Sequence, residues 1–171
     1  MGGAQKTAGL AITKPLIIKG VKAGADARDR SVTGLGNAAY TGANDAAESN
    51  VFGTDNYATI IFIGASDVTL DGLTINVKSG KKVKYSIGII AATGQDVARV
   101  KVTNCVIRHL SSSSTALYGI LIQSSGGITD TEISFNEIRD YKEDGSSATH
   151  GINVDHNGAG TTAGLIKRTH L

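Results

Sequence analysis

An all-β solenoid of parallel strands is the fold class that this 171-residue sequence predicts, and three observations carry the prediction. One unit recurs at spacings of 31 and 32 residues. Within each copy the apolar residues alternate with a period of two, the spacing of a half-buried strand and not of a helix. Glycine is abundant (22) and proline nearly absent (1), while Thr, Ile, Val, Ser, Asn and Asp dominate. That composition suits short strands joined by turns.

The unit is clearest in VTLDGLTI (68–75), VKVTNCVI (100–107) and TEISFNEI (131–138), which superimpose without gaps. Apolar residues hold the third and eighth positions of each: Leu70 and Ile75, Val102 and Ile107, Ile133 and Ile138. Between them the alternation slips, at Asp71-Gly72, at Thr103-Asn104 and less clearly at Ser134-Phe135. A slip that recurs in register is a corner, after which the next strand starts with its inward face re-phased. Gly72 and Asn104 are residue types that tolerate such a turn.

A second block precedes each copy and sets a Gly before a short alternating strand, at Gly88, Gly119 and Gly151. Thr59-Ile60-Ile61-Phe62-Ile63 reads as its first member, with Thr in place of Gly. An earlier partial copy, Leu16 to Gly20, aligns Gly20 with Gly72 and puts Pro15 at a strand start, where its missing donor costs least. A late copy, Leu165 to Leu171, aligns Ile166 with Ile133 and Leu171 with Ile138. Residues 24–50 break the period and read as a loop excursion from the first coil, with one helical turn. The whole, 1–171, reads as a single domain with regular coils over 59–171, about 4–5 coils of about 31 residues.

Units of this size cannot bury an inner face alone, whereas stacking them makes a continuous core. A sandwich or meander would not require equivalent residues at equal spacing; a parallel β-helix does. The coil pattern, with its corner at Thr103-Asn104 and with Asn136 one place on, resembles the right-handed parallel β-helix of the pectate-lyase-like superfamily. KPLIIKGVKAGADARDR (14–30) with AESNVFG (47–53) resembles the opening coil of bacterial secreted or surface β-helix proteins. From their Gly-Ala-Asn-Ala-Gly-type turn this chain departs at Val21 and Lys22. The resemblance implies a right-handed coil and a secreted or cell-surface location.

The net charge of +2 and the scattered Lys and Arg argue against nucleic acid, and no apolar run reaches the length of a membrane span. The N-terminal MGGAQKTAGLAI lacks the blocks of a signal peptide. The single Cys105 excludes an intramolecular disulfide and falls in an apolar column, so it reads as a buried filler. The pattern runs to Leu171, which predicts an open coil end, either a cut in a longer protein or a surface for self-association.

Outward residues of neighbouring coils should lie about 4.8 Å apart. Register then pairs Lys101 with Glu132, His109 with Asp140 and Glu137 with His170, which read as surface ion pairs. Arg108 stacks on Arg139, a like-charge pair that suggests an anion or acidic-sugar contact, with a solvated surface as the preferred reading. The densest polar cluster is Thr149 to Gly158. His150, Asp155 and His156 are its candidates for acid–base work, and Asn153 and His156 for ligand contact. Asn153 is expected outward, where earlier coils carry Leu121 and Ile90. Hydrogen-bonded turn chemistry accounts for the same residues and is preferred. Asp140, Glu143 and Asp144 are candidate Ca²⁺ ligands without EF-hand spacing, a solvated loop being the default; no other cofactor is expected.

The enzymes of the superfamily carry motifs that Thr-His-Gly at 149–151 and Lys-Arg at 167–168 do not match. No two carboxylates stack on neighbouring coils as glycoside hydrolysis needs. The leading expectation is therefore a non-catalytic module that contacts carbohydrate or a partner through a lateral face and the loops at 111–116 and 141–148. The alternatives are a polysaccharide lyase or glycoside hydrolase acting on acidic polysaccharide, and a structural subunit that assembles through open coil ends.

Overall fold

In a computed structural model the chain is all-β, with parallel strands stacked in four sheets. Residues 9–29, 48–53, 58–77, 83–109, 118–139, 150–156 and 165–167 are described. The strands are β1 (Leu10–Ile12), β2 (Leu16–Lys19), β3 (Ser49–Gly53), β4 (Ala58–Ile63), β5 (Val68–Asp71), β6 (Leu73–Val77), β7 (Val83–Ala91) and β8 (Asp96–Ala98). They continue as β9 (Lys101–Thr103), β10 (Val106–His109), β11 (Tyr118–Ser124), β12 (Gly127–Thr129), β13 (Glu132–Ser134), β14 (Glu137–Arg139), β15 (His150–His156) and β16 (Leu165–Lys167).

Sheet 1 runs β1-β4-β7-β11-β15, sheet 2 β8-β12-β16, sheet 3 β2-β5-β9-β13 and sheet 4 β3-β6-β10-β14. From β7 to β14 the chain visits sheets 1, 2, 3 and 4 in that order, then repeats the circuit. The arrangement is compatible with a parallel β-solenoid. Its core is made of columns, and the two read from the repeat are in place. Leu70 pairs with Val102 and Val102 with Ile133; Ile75 pairs with Ile107 and Ile107 with Ile138. All are buried in one cluster except Ile138, which packs against it partly exposed. Cys105 is fully buried in the same cluster, its Sγ 3.1 Å from the Thr103 carbonyl oxygen.

The corner between sheets 3 and 4 turns on one left-handed residue in each circuit: Gly72 (φ 72°), Asn104 (φ 54°) and Phe135 (φ 55°). Neighbouring corners are tied by backbone bonds, Gly20 N–H to Asp71 O (2.7 Å), Gly72 N–H to Thr103 O (3.1 Å) and Asn104 N–H to Ser134 O (3.3 Å). Asn136 adds a side-chain tie, accepting from Cys105 N–H and donating to Val102 O, both at 2.8 Å. These bonds satisfy backbone groups that the break between strands would leave without ladder partners.

A second left-handed corner, between sheets 2 and 3, carries Asp67, Arg99 and Asp130 at φ 60°, 55° and 54°. Arg99 donates to both Asp67 carboxylate oxygens, at 2.6 and 2.7 Å. That bond holds the Asp67 carboxyl below its usual range. In the same way Arg28 holds Asp26 at about 2, against 3.8. Both folded-state values lie below the unfolded ones. The associated stability is therefore present above about pH 4 and is lost as pH falls through the folded values. Thermal scans should show a falling midpoint between about pH 4 and pH 2, with a shallower fall in Arg99→Leu.

Two alignments are corrected. In sheet 1 Ile120 pairs with Ile87 and Leu121 with Gly88, so Gly88 and Gly119 do not share a column. Thr59 pairs with Tyr85 and belongs with neither glycine. For Gly88 and Gly119 the reason is that a two-residue slip leaves an alternating strand's inward and outward faces unchanged, so hydrophobicity alone does not exclude it. Thr59 lies three residues out against Gly88, in a pair of strands whose register shifts between Ala58 and Thr59. At the far end Ile166 pairs with Ile128, placing β16 in sheet 2 and not beside β13. The match of Ile166 with Ile133 arose because Val97 and Ile128 form a further apolar column, buried in the same core.

From Gly20 to Asp29 the chain leaves the strand path and lies along the corner as a strap. Gly24 N–H donates to Asp71 Oδ1 (3.0 Å), which also accepts from Asn104 Nδ2 (2.7 Å). A 3-10 turn at Ala27–Asp29 ends the described part, with Ala27 N–H bonded to Phe135 O (3.1 Å). The remainder of the excursion, 30–47, lies outside the described residues.

Candidate functional site

Strand β15 carries the polar cluster singled out above. His150 pairs with Tyr118, Asn153 with Leu121, Asp155 with Gln123 and His156 with Ser124. The column behind Asn153 is thus Leu121 and Gly88; Ile90 stands instead behind Gln123 and Asp155. This corrects the expected placement, for the same two-residue reason.

Extended geometry separates the acid–base candidates. His150 and Asp155 are five residues apart on one strand, so their side chains leave opposite faces, about 16 Å apart along it. Asp155 accepts a hydrogen bond from Gln123 Nε2 at 2.9 Å. His150 is exposed and stacks on Tyr118, with centroids 5.6 Å apart and planes 10° from parallel. The His156 side chain lies outside the described residues.

Tyr118 in turn stacks on Tyr85 at 5.7 Å and 11°, and Lys84 Nζ sits 5.4 Å from the Tyr85 centroid. The Tyr85–Tyr118–His150 ring column was missed by sequence reasoning. Its signal was there: with the step from Tyr85 to Tyr118 taken as 33 residues, the two tyrosines and His150 fall in line.

Arg108 pairs in register with Arg139, as expected, and on its other side with Asn76. It is not solvated, however: only 2% of Arg108 is exposed, which overturns the preferred reading of that column. Strand alternation locates the outward face but does not reveal that the face is covered. Thr74 and Asn76, on the same face, are also buried; Thr74 Oγ1 donates to Glu48 (2.8 Å) and Asn76 Nδ2 to Asn50 (3.2 Å). The Arg139 side chain lies outside the described residues.

Lys101 and Glu132 form the expected pair at 3.1 Å, both substantially exposed. A double-mutant cycle should give a coupling below about 1 kcal/mol that shrinks with added salt. Asp140 and His170, the expected partners of His109 and Glu137, lie outside the described residues, as do Glu143, Asp144 and the 111–116 and 141–148 loops. Glu137 pairs in register with Val106. Among the described residues no three His, Cys, Asp or Glu side chains come together as a metal site.

Phe135 is the outlier of the corner. Glycine occupies the left-handed region freely and asparagine tolerates it, whereas a bulky side chain there costs about 1–3 kcal/mol. The Arg28 guanidinium lies 5.7 Å from the Phe135 centroid, and Asp26 holds Arg28 through Nε (2.9 Å) and a second nitrogen. An exposed cation–π contact returns about 0.5–1 kcal/mol. The ring therefore costs more than this contact returns, and it stands 55% exposed.

No protein-family model, no curated protein and no solved structure matches this chain.

Proposed function

We propose that the chain is a right-handed parallel β-helix of the pectate-lyase-like type, with about 4–5 coils, serving as a non-catalytic module of a secreted or cell-surface protein. It contacts carbohydrate through a lateral face. Right-handedness accords with the strong preference of parallel crossover connections for that hand.

One observation carries the non-catalytic reading. The candidate base and acid, His150 and Asp155, leave opposite faces of β15, where His150 stacks on Tyr118 and Asp155 accepts from Gln123. General acid–base catalysis needs both groups within hydrogen-bond reach of one substrate. The lateral faces offer polar and charged side chains in register, among them Thr69, Lys101 and Glu132. These polar groups, beside the exposed Ile17 of the same column, can meet the hydroxyls of a polymer lying along it.

The test pairs binding to immobilised polysaccharides with a lyase assay on uronate polymers, read by absorbance of the unsaturated product. Binding without turnover is expected. Turnover that disappears in His156→Ala would overturn the reading in favour of an enzyme.

A further inference from the structure

We propose that Phe135, with Asp26 and Arg28 at its rim, is a stacking platform for a single pyranose ring of a polysaccharide. This rests on the carbohydrate-binding reading above and gives it a location.

The corner does not need the ring. The sister corners use Gly72 and Asn104, so the turn itself does not call for an aromatic residue. The strap is fastened to this corner by the Ala27 N–H bond to the Phe135 carbonyl, a backbone contact that any residue would keep. The Arg28 stack returns less than the left-handed phenylalanine costs. Backbone strain that the fold does not require is concentrated at functional positions.

The surroundings specify the ligand. The ring is 55% exposed, with Arg28 across one face and Asp26 fixing that guanidinium. A pyranose has an apolar C–H face to lie on an aromatic ring and a rim of hydroxyls to meet a carboxylate and a guanidinium. A protein partner would instead need its anchoring aromatic at the centre of a broad desolvated patch. One ring among polar groups matches the sugar.

The test compares wild type, Phe135→Gly and Phe135→Trp of the full chain by titration calorimetry, with polygalacturonate and a neutral β-glucan as probes, alongside thermal midpoints. Phe135→Gly should weaken binding at least tenfold while its midpoint stays level or rises, because glycine relieves the strained corner. Phe135→Trp should bind at least as well as wild type. Binding by Phe135→Gly within twofold of wild type would overturn the platform and leave the carbohydrate reading standing. Weaker binding together with a lower midpoint would also overturn it, because the ring would then be a latch for the strap. A wild-type chain that binds neither probe would overturn both readings.

Discussion

Replacing Gly72 with alanine should destabilise the protein by about 3 kcal/mol or more, a larger loss than the bare left-handed penalty of about 1–3 kcal/mol. Two effects add. Gly72 sits at φ 72°, a conformation that side chains other than Gly and Asn resist. A Cβ there would also overlap the backbone of Lys22 and Ala23, where the strap crosses the corner. The overlap falls on backbone, so no rotamer change relieves it. The strap must lift, and the Gly24 N–H bond to Asp71 goes with it. Urea unfolding should show the shifted midpoint, and amide exchange should show residues 20–28 losing protection ahead of β5 and β9. Unchanged exchange in the strap would mean that the corner does not carry it.

Ile107→Ala should cost about 3–4 kcal/mol, the range for an isoleucine truncated where neighbours cannot collapse. Ile107 is fully buried, midway between Ile75 and Ile138 in its column. Both neighbours are fixed in parallel ladders, so the vacated volume stays open. Ile138→Ala should cost less, because Ile138 is only partly buried. Equal losses at the two positions, measured by urea unfolding, would contradict a column whose middle member is the better packed.

These contrasts bear on what was legible in the sequence. The sheet 3 and sheet 4 columns could be read because each copy contains a corner. The phase break between Val102 and Ile107 anchors both halves, and a slip by two residues would spoil one of them. The sheet 1 strands have no such internal break, so Gly88 was matched to Gly119 when Leu121 is its true neighbour. The same ambiguity hid the Tyr85–Tyr118–His150 stack and misplaced Asn153.

Arg108 failed for a different reason. Alternation assigns its face, but burial depends on what lies over that face, which no local pattern encodes. Phe135 was visible only as a less clear third corner. Its strained conformation follows from occupying the column of Gly72 and Asn104, and its residue type gave no hint of it. The Asp67–Arg99–Asp130 corner was legible in spacing, at 32 and 31 residues, yet its residues lack the glycine that draws attention to a turn.

Successive copies of the unit stack in parallel and in register. This stacking is tested most directly by pairing cysteines on the outward column Thr69–Lys101–Glu132. Adjacent members should have Cα atoms about 5 Å apart and alternate members about 10 Å. A disulfide needs roughly 4.4–6.8 Å. Under mild oxidation Lys101→Cys/Glu132→Cys should close an intramolecular disulfide, seen by peptide mass mapping, while Thr69→Cys/Glu132→Cys stays reduced. A reduced 101/132 pair together with a closed 69/132 pair would contradict the strand order and the register on which the whole account stands.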